Sequence, residues 1–344
     1  MVYGQPQLAQ GVTGLSTIPK IALVGCGYWG KNLCRNFHAL GALSSVVDSI
    51  ENGQSTARSL APNVQITNRL DDVLGDHQIE GVALATPAET HAELAIESMR
   101  SGKDVFVEKP MALTLEDAKQ MKDVAEESGR ILMVGHLLEY HPAILKLREM
   151  IALGELGKIN YIYSNRLNFG KVRTEENALW SFAPHDVAVI LRLIGLDPVE
   201  VSACGGSYLT NGIADTTMSN LKFSDDSRAH IFVSWLHPFK EQRLVVVGDK
   251  KMAIFNDVAP NSDKLLLYPQ NVEFDGATPI LKQEDSQFID LPNIEPLREE
   301  CIHFLDCINS RNQPLTNAQS GIDVLRVLNA CQESLMKNGM PVKL

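Results

Sequence analysis

The sequence predicts a doubly wound α/β domain with a parallel sheet, followed by an α+β domain on a large open, mainly antiparallel sheet. Three observations carry that prediction. Short apolar runs alternate with helical patterns over about residues 20–135. A glycine-rich turn sits directly behind the first of these runs. Beyond about residue 159, longer β-rich segments broken by Gly, Asp, Asn and Pro take over. Strand–helix alternation with short connections gives a parallel sheet, whereas runs of strands with segregated helices give α+β architecture. A chain of 344 residues suits two domains at roughly 100–200 residues each. The expected layout is a flexible arm over 1–18, a nucleotide-binding domain over 19–138 and a substrate-binding and assembly domain over 139–344.

The first run, Lys20–Val24, is apolar enough for a strand buried on both faces. Trp29–Leu40 follows as a helix with Leu33, Phe37 and Leu40 on one side. Ser44–Val47 is the second strand, ending at Asp48. Thr56–Ala61 reads as a helix stopped by Pro62, Val64–Ile66 as a short strand and Leu70–Leu74 as a short helix. The unit then repeats: strand Gly81–Ala85, helix Pro87–Ser101, strand Asp104–Val107, helix Leu115–Ser128 and strand Ile131–Val134. Pro142–Leu153 is a further helix. The expected strands after it are Ile159–Arg166, Val199–Gly205, Ala214–Phe223, Ala229–Trp235, Gln242–Val247 and Lys251–Asn256. Helical patterns return at Pro184–Leu193, Pro296–Asn309 and Gln319–Met336.

Composition excludes several classes of function. The net charge of −11 lacks the basic footprint of a nucleic-acid binder, although a local Lys/Arg cluster could still receive a small anion. No apolar run approaches the ~18 residues of a membrane span. Residues 1–18 lack the charged start and apolar middle of a secretory leader, so a cytoplasmic location is expected. Six cysteines (Cys26, Cys34, Cys204, Cys301, Cys307 and Cys331) form no CxxC pair and have no His at zinc spacing. They are expected to be free thiols, and no metal site is expected.

The chemistry-bearing motifs lie at strand ends. Gly25-Cys26-Gly27-Tyr28-Trp29-Gly30 follows a buried strand and opens a helix, the context that gives a GxGxxG run its meaning. Gly25 permits the tight turn, Gly27 the approach of a pyrophosphate, and Gly30 close helix–strand packing. The helix start offers N–H groups to that pyrophosphate. Asp48, at the end of the second strand, suits the ribose hydroxyls of NAD and repels the 2′-phosphate of NADP. No Arg occurs in Ser49-Ile50-Glu51-Asn52 to receive such a phosphate. NAD is therefore the expected cofactor of a Rossmann domain. Glu108-Lys109-Pro110 ends another strand, where a lysine can donate to a substrate oxygen and where Pro110 admits a cis peptide. His185, beside Pro184 and Asp186, is a candidate proton carrier near a helix start.

Taken together, these elements resemble the family of glucose–fructose oxidoreductase and inositol dehydrogenase. The markers stand in order from about residue 20 to 335: the glycine turn, Ala85-Thr86-Pro87 with Thr90-His91, Glu108-Lys109-Pro110, Gly154-Glu155-Leu156-Gly157, His185 and Gly195. The resemblance implies reversible hydride transfer between a sugar or polyol carbon and nicotinamide. It places Ala85, Thr86, Pro87 and His91 along the cofactor together with Tyr28 and Trp29, Glu108 near the nicotinamide ribose, and Lys109 and His185 at the reacting carbon. It also implies a homodimer or homotetramer through the second sheet. Many relatives carry Asp four residues before the histidine; Ser181 stands there instead, which shifts weight to Lys109. Trp180–Asp186 resembles a branch that oxidises C3 of UDP-N-acetylglucosamine or its uronic acid. Arg166, Lys171 and Arg173 are the expected contacts to the diphosphate. Three other readings stand beside this one: a dehydrogenase of a free polyol such as inositol, an NADPH-preferring ketoreductase of a deoxysugar nucleotide, and a non-catalytic nucleotide-binding regulator.

Overall fold

The computed structural model describes residues 18–344. The arm expected over 1–18 lies, apart from Ile18, outside the described residues. The chain forms two compact units. One runs to Leu137 and also takes in Glu295–Ile322; the other comprises Leu138–Ile294 and Asp323–Leu344.

The first unit contains β1 (Ile21–Val24), α1 (Gly30–Ala39), β2 (Leu43–Val47), α2 (Glu51–Leu60), β3 (Gln65–Thr67) and α3 (Asp71–Leu74). It continues with β4 (Gly81–Leu84), α4 (His91–Arg100), β5 (Asp104–Glu108), α5 (Leu115–Ser128) and β6 (Leu132–Gly135). The sheet order is β3-β2-β1-β4-β5-β6, and every pairing is parallel. All residues of β1, β4, β5 and β6 are buried, as expected for strands covered on both faces. Strand order reverses between β1 and β4, the kind of switch point at whose carboxyl ends open α/β sheets bind ligands.

The second unit opens with α6 (Pro142–Ala152), β7 (Ile159–Phe169), α7 (Ala178–Ile194), β8 (Pro198–Gly206), β9 (Thr216–Phe223) and β10 (Arg228–Ser234). After these come β11 (Leu236–Gly248), β12 (Met252–Asn256), β13 (Leu265–Tyr268), β14 (Asn271–Asp275), β15 (Thr278–Lys282) and β16 (Gln287–Phe288). The chain then adds α8 (Pro296–Ser310) to the first unit and ends in α9 (Ala318–Met336) and β17 (Val342–Lys343). The large sheet runs β16-β13-β12-β11-β7-β10-β9-β8-β17. Its pairs are antiparallel except β7 with β10. On β9, Thr217, Ser219, Leu221 and Phe223 are buried while Met218 and Asn220 are exposed, so one face carries the core. Ala143, Ile144 and Leu147 of α6, Val187 and Ile190 of α7, and Val324 and Leu328 of α9 complete that core.

Several expectations need correction. A second domain running unbroken from 139 to 344 is not what forms, because residues 295–322 pack with the first unit. Phe304 of α8 makes edge contacts with Phe37 and Phe106, and Arg311 pairs with Asp104 at the start of β5. The helix expected at Pro184 begins six residues earlier, at Ala178. The Asn177 side chain accepts from the Trp180 N–H at 3.2 Å and caps it. Pro184 therefore lies inside the helix, where its missing N–H leaves the Trp180 carbonyl without its usual donor. The helix expected from Pro87 opens instead as a short 3-10 turn, Ala88–Thr90, before α4. Strands β13 to β17 had no counterpart in the sequence reading.

Candidate active site and cofactor cradle

Within the first unit, the loops after β1 and β4 touch. The Ala85 N–H donates to the Val24 carbonyl at 2.9 Å. Gly25 has φ +89°, and a Cβ there would lie 2.8 Å from the Ala85 carbonyl oxygen. A Cβ on Gly30 would come within 2.0 Å of the Gly25 oxygen. These two positions exclude side chains by packing. Gly27 differs: a Cβ there would meet nothing within 4 Å, so its bareness leaves open space over the turn. Trp29, the residue capping α1, makes no side-chain cap hydrogen bond, and the first turn carries no acid. An anion such as the NAD pyrophosphate fits a helix start that is neither capped nor acidified.

Asp48 supports this turn directly. Its Oδ2 accepts from the Cys26 N–H at 2.7 Å, and its Oδ1 accepts from the Ile50 N–H at 2.8 Å. The carboxylate is half-buried, with lone pairs left for ribose hydroxyls. Replacing Asp48 by Ala should raise the NAD dissociation constant roughly ten- to hundredfold, as loss of charge-assisted hydrogen bonds implies. Affinity for NADP should change less. Titration with both cofactors checks this; equal weakening would confine Asp48 to bracing the glycine turn.

The second cluster is at the end of β5. Glu108 is buried, and Lys109 is half-buried. The Trp29 indole N–H donates to one oxygen of Glu108, and the Lys109 backbone N–H donates to the other at 3.3 Å. The Lys109–Pro110 peptide is cis. Burial pushes the Glu108 carboxyl up to about 7, against the pull of the Trp29 hydrogen bond and the Lys109 charge. Between its ordinary 4.5 and about 7, the folded chain keeps a proton that the unfolded chain releases. Glu108 therefore contributes stability that is complete below 4.5 and is lost as pH rises through about 7. Thermal unfolding of the protein and of Glu108→Gln across this window should show the difference shrinking toward neutrality. Parallel curves would contradict it.

Tyr28 stands exposed at the turn with the Lys31 ammonium 5.5 Å from its ring centre. Thr86 and Pro87 follow β4, and the Thr90 hydroxyl donates to the Thr86 hydroxyl at 2.7 Å. The contact with cofactor expected of His91 is not available to it: the ring is only 1% exposed, and both nitrogens face backbone carbonyls.

In the second unit, His185 lies on the second turn of α7, half-buried, rather than at a helix start. Its neighbour Asp186 is buried and accepts from the Ser164 hydroxyl at 2.6 Å, from Arg166 Nε at 2.8 Å and from Arg166 Nη2 at 3.2 Å. These bonds tie α7 to β7 and fix the rotation of the helix that carries His185. Arg166, expected at a diphosphate, is thus engaged within the protein. Arg173 pairs with Glu175 and Glu176 in the segment after β7, and Lys171 is exposed beside it. Ser181 is buried one turn before His185. The Asp186–Arg166 pair left a signal in the sequence: a carboxylate at helical spacing from apolar Ala183, Val189 and Ile190 requires a buried partner.

Among the described residues, no group of three or more His, Cys, Asp or Glu has metal-binding geometry, and no helix is long and apolar enough to cross a membrane. Five of the six free cysteines are buried, and Cys204 is exposed.

Residues 19–136 match the GFO/IDH/MocA family model described as an oxidoreductase family with an NAD-binding Rossmann fold. Residues 144–254 match the C-terminal domain of the same family. The 2,7-anhydro-N-acetylneuraminate hydratase of Mediterraneibacter gnavus is 30% identical over 67% of this chain, a match spanning 65% of that relative. The scyllo-inositol 2-dehydrogenase (NAD(+)) of Bacillus subtilis is 26% identical over 79% of this chain and 80% of its own. The UDP-N-acetylglucosamine 3-dehydrogenase of Acidithiobacillus ferrooxidans is 24% identical over 89% of this chain and 94% of its own. A solved structure of the Acidithiobacillus ferrooxidans enzyme superposes with a TM-score of 0.81, covering 92% of this chain and 97% of its own at 22% identity, and shares the fold.

Proposed function

The chain belongs to the GFO/IDH/MocA oxidoreductase family, and on that premise we propose that it transfers hydride from C3 of a nucleotide-linked sugar of the UDP-N-acetylglucosamine type to NAD, giving a 3-keto sugar. The observation that carries the reaction type is Lys109 at the carboxyl end of β5, flanked by the buried Glu108 carboxyl, in the unit that builds the glycine turn. When bound, NAD supplies the hydride acceptor. Asp48 and the turn at Gly25–Gly30 hold it, and Glu108 and Trp29 brace the strand end. Lys109 or His185 takes the hydroxyl proton, and returns it when a 3-keto sugar is reduced.

The substrate class is supported by similarity to the UDP-N-acetylglucosamine 3-dehydrogenase along nearly the whole chain. With Arg166 held by the buried Asp186, the cations for a diphosphate are the exposed Lys171 and the half-buried Arg173, the latter by exchanging its surface pairs with Glu175 and Glu176. That same engagement of Arg166 favours a second reading, a dehydrogenase of a free polyol, to which the similarity with the inositol enzyme also points. A ketoreductase that prefers NADPH is disfavoured by the carboxylate of Asp48. The proposed assembly is a homodimer or homotetramer through the exposed face of the nine-stranded sheet, where Tyr161 and Met218 lie bare and Tyr163 stacks on His230. The proposed location is the cytoplasm.

A thermal-shift series with NAD and NADP, each with UDP, UDP-N-acetylglucosamine, its uronic acid and inositol, tests the reading, since ligands of the folded state raise Tm. A rise with NAD and a further rise with one UDP-sugar supports it. A further rise with inositol alone overturns the nucleotide-sugar assignment.

A further inference from the structure

His91 opens α4 and is almost completely buried, yet its ring is not packed as an inert apolar filler. Nε2 lies 2.9 Å from the carbonyl oxygen of Thr86, and Nδ1 lies 2.8 Å from that of Pro110. Thr86 belongs to the loop after β4, whose backbone sits against Gly25 of the glycine turn. Pro110 directly follows Lys109. One imidazole therefore stands between the loop on the cofactor side and the strand end that carries the reacting lysine. Both partners are carbonyls, which only accept. A neutral ring carries a single N–H and can hold only one of them; holding both requires the imidazolium. Burial outweighs the pull of the Pro110 and Thr86 carbonyls and holds the imidazole below its ordinary range, so the ring is neutral and binds one carbonyl at a time.

We infer that His91 is a positioning residue for two loops: its single N–H binds either the Thr86 carbonyl through Nε2, which sets that loop against the cofactor turn, or the Pro110 carbonyl through Nδ1, which sets the strand end that aims Lys109. The inference rests on the proposed placing of NAD and Lys109, and it removes His91 itself from contact with either ligand.

Two substitutions separate the two links. The amide nitrogen of Asn lies two bonds beyond Cβ, as Nδ1 does, and that of Gln lies three bonds beyond, as Nε2 does. His91→Asn keeps a donor for Pro110 and drops the one for Thr86. His91→Gln does the reverse. Two readouts, neither using a sugar, follow the two sides: NAD affinity by calorimetry, and the acylation rate of Lys109 by acetic anhydride, read by mass spectrometry across pH. The Asn variant should bind NAD about tenfold more weakly with Lys109 acylation unchanged. The Gln variant should keep its NAD affinity and shift the Lys109 acylation rate about threefold or more.

Both readouts moving together in each variant, or neither moving in folded variants, would overturn the inference. So would failure of both variants to fold, since each keeps one of the two bonds. A wild-type protein that reduces NAD with no UDP-sugar defeats the substrate assignment and leaves both readouts intact. A wild-type protein that does not bind NAD defeats the cofactor reading, while Lys109 acylation in the Gln variant still decides the other half.

Discussion

Replacing Lys109 by alanine is expected to cut turnover by roughly 10²–10⁴ while leaving NAD affinity within a few-fold, the range that a positioned acid or base contributes. The lysine follows a β5 that is buried throughout, so the backbone that presents it is rigid. Its own N–H is engaged with Glu108, and the next carbonyl meets His91. Truncation removes the ammonium without touching these contacts. Folding should survive, and the cradle at Gly25–Gly30 should still take cofactor. His185→Ala is the companion variant. Ser181 cannot hold the charge that an aspartate would place one turn before that histidine, so the larger loss should fall on Lys109. Steady-state kinetics with independent NAD titration checks both. Turnover that survives loss of both residues would place the chemistry elsewhere.

Replacing Arg166 by methionine is expected to destabilise the second unit by about 3–5 kcal/mol, the cost of leaving a buried carboxylate without its partner. Asp186 is only 2% exposed and takes two hydrogen bonds from Arg166. The Arg166 side chain is 12% exposed, and its partial removal from water works against its charge. The Asp186 carboxylate nevertheless holds the guanidinium above its ordinary range. Removing both members, as in Arg166→Met with Asp186→Leu, should restore much of the stability, because no charge is then stranded. Urea unfolding of the two single variants and the double variant measures the coupling. Additive losses would show that the pair is not a unit. The same variants probe function: if Asp186 orients α7, the double variant should be stable yet slow.

Much of the first unit was legible because its signals are local. Short apolar runs such as Ile21–Val24 and Gly81–Leu84, bounded by turn residues, read as strands covered on both faces, and a GxGxxG turn between such a strand and a helix has one common use. The second unit was legible as a class but not in detail. Pro184 favoured a helix start, and the cap at Asn177 overrode it from seven residues upstream. Among the described residues, strands β14 and β15 pair only with each other and are largely exposed; Val272 and Phe274 alternate with polar residues, but no buried face stands behind that alternation. The return of residues 295–322 to the first unit rests on Phe304 meeting Phe37 and Phe106, a contact across distant sequence that no local pattern encodes. The site divides in the same way. The placement of Asp48 and Lys109 directly after β2 and β5 was readable from position. The roles of His91 and Arg166 depend on what folds against them, and in both cases the partner is inside the protein rather than a ligand.

The most direct test of the central claim follows the hydride itself. Wild-type protein is incubated with NAD and UDP-N-acetylglucosamine, or its uronic acid, carrying deuterium at C3, and the cofactor is recovered for mass spectrometry. The account predicts reduced nicotinamide that carries the deuterium, with a 3-keto sugar as the other product. Reduced nicotinamide without the label, or no reduction by either sugar while inositol reduces NAD, would contradict it.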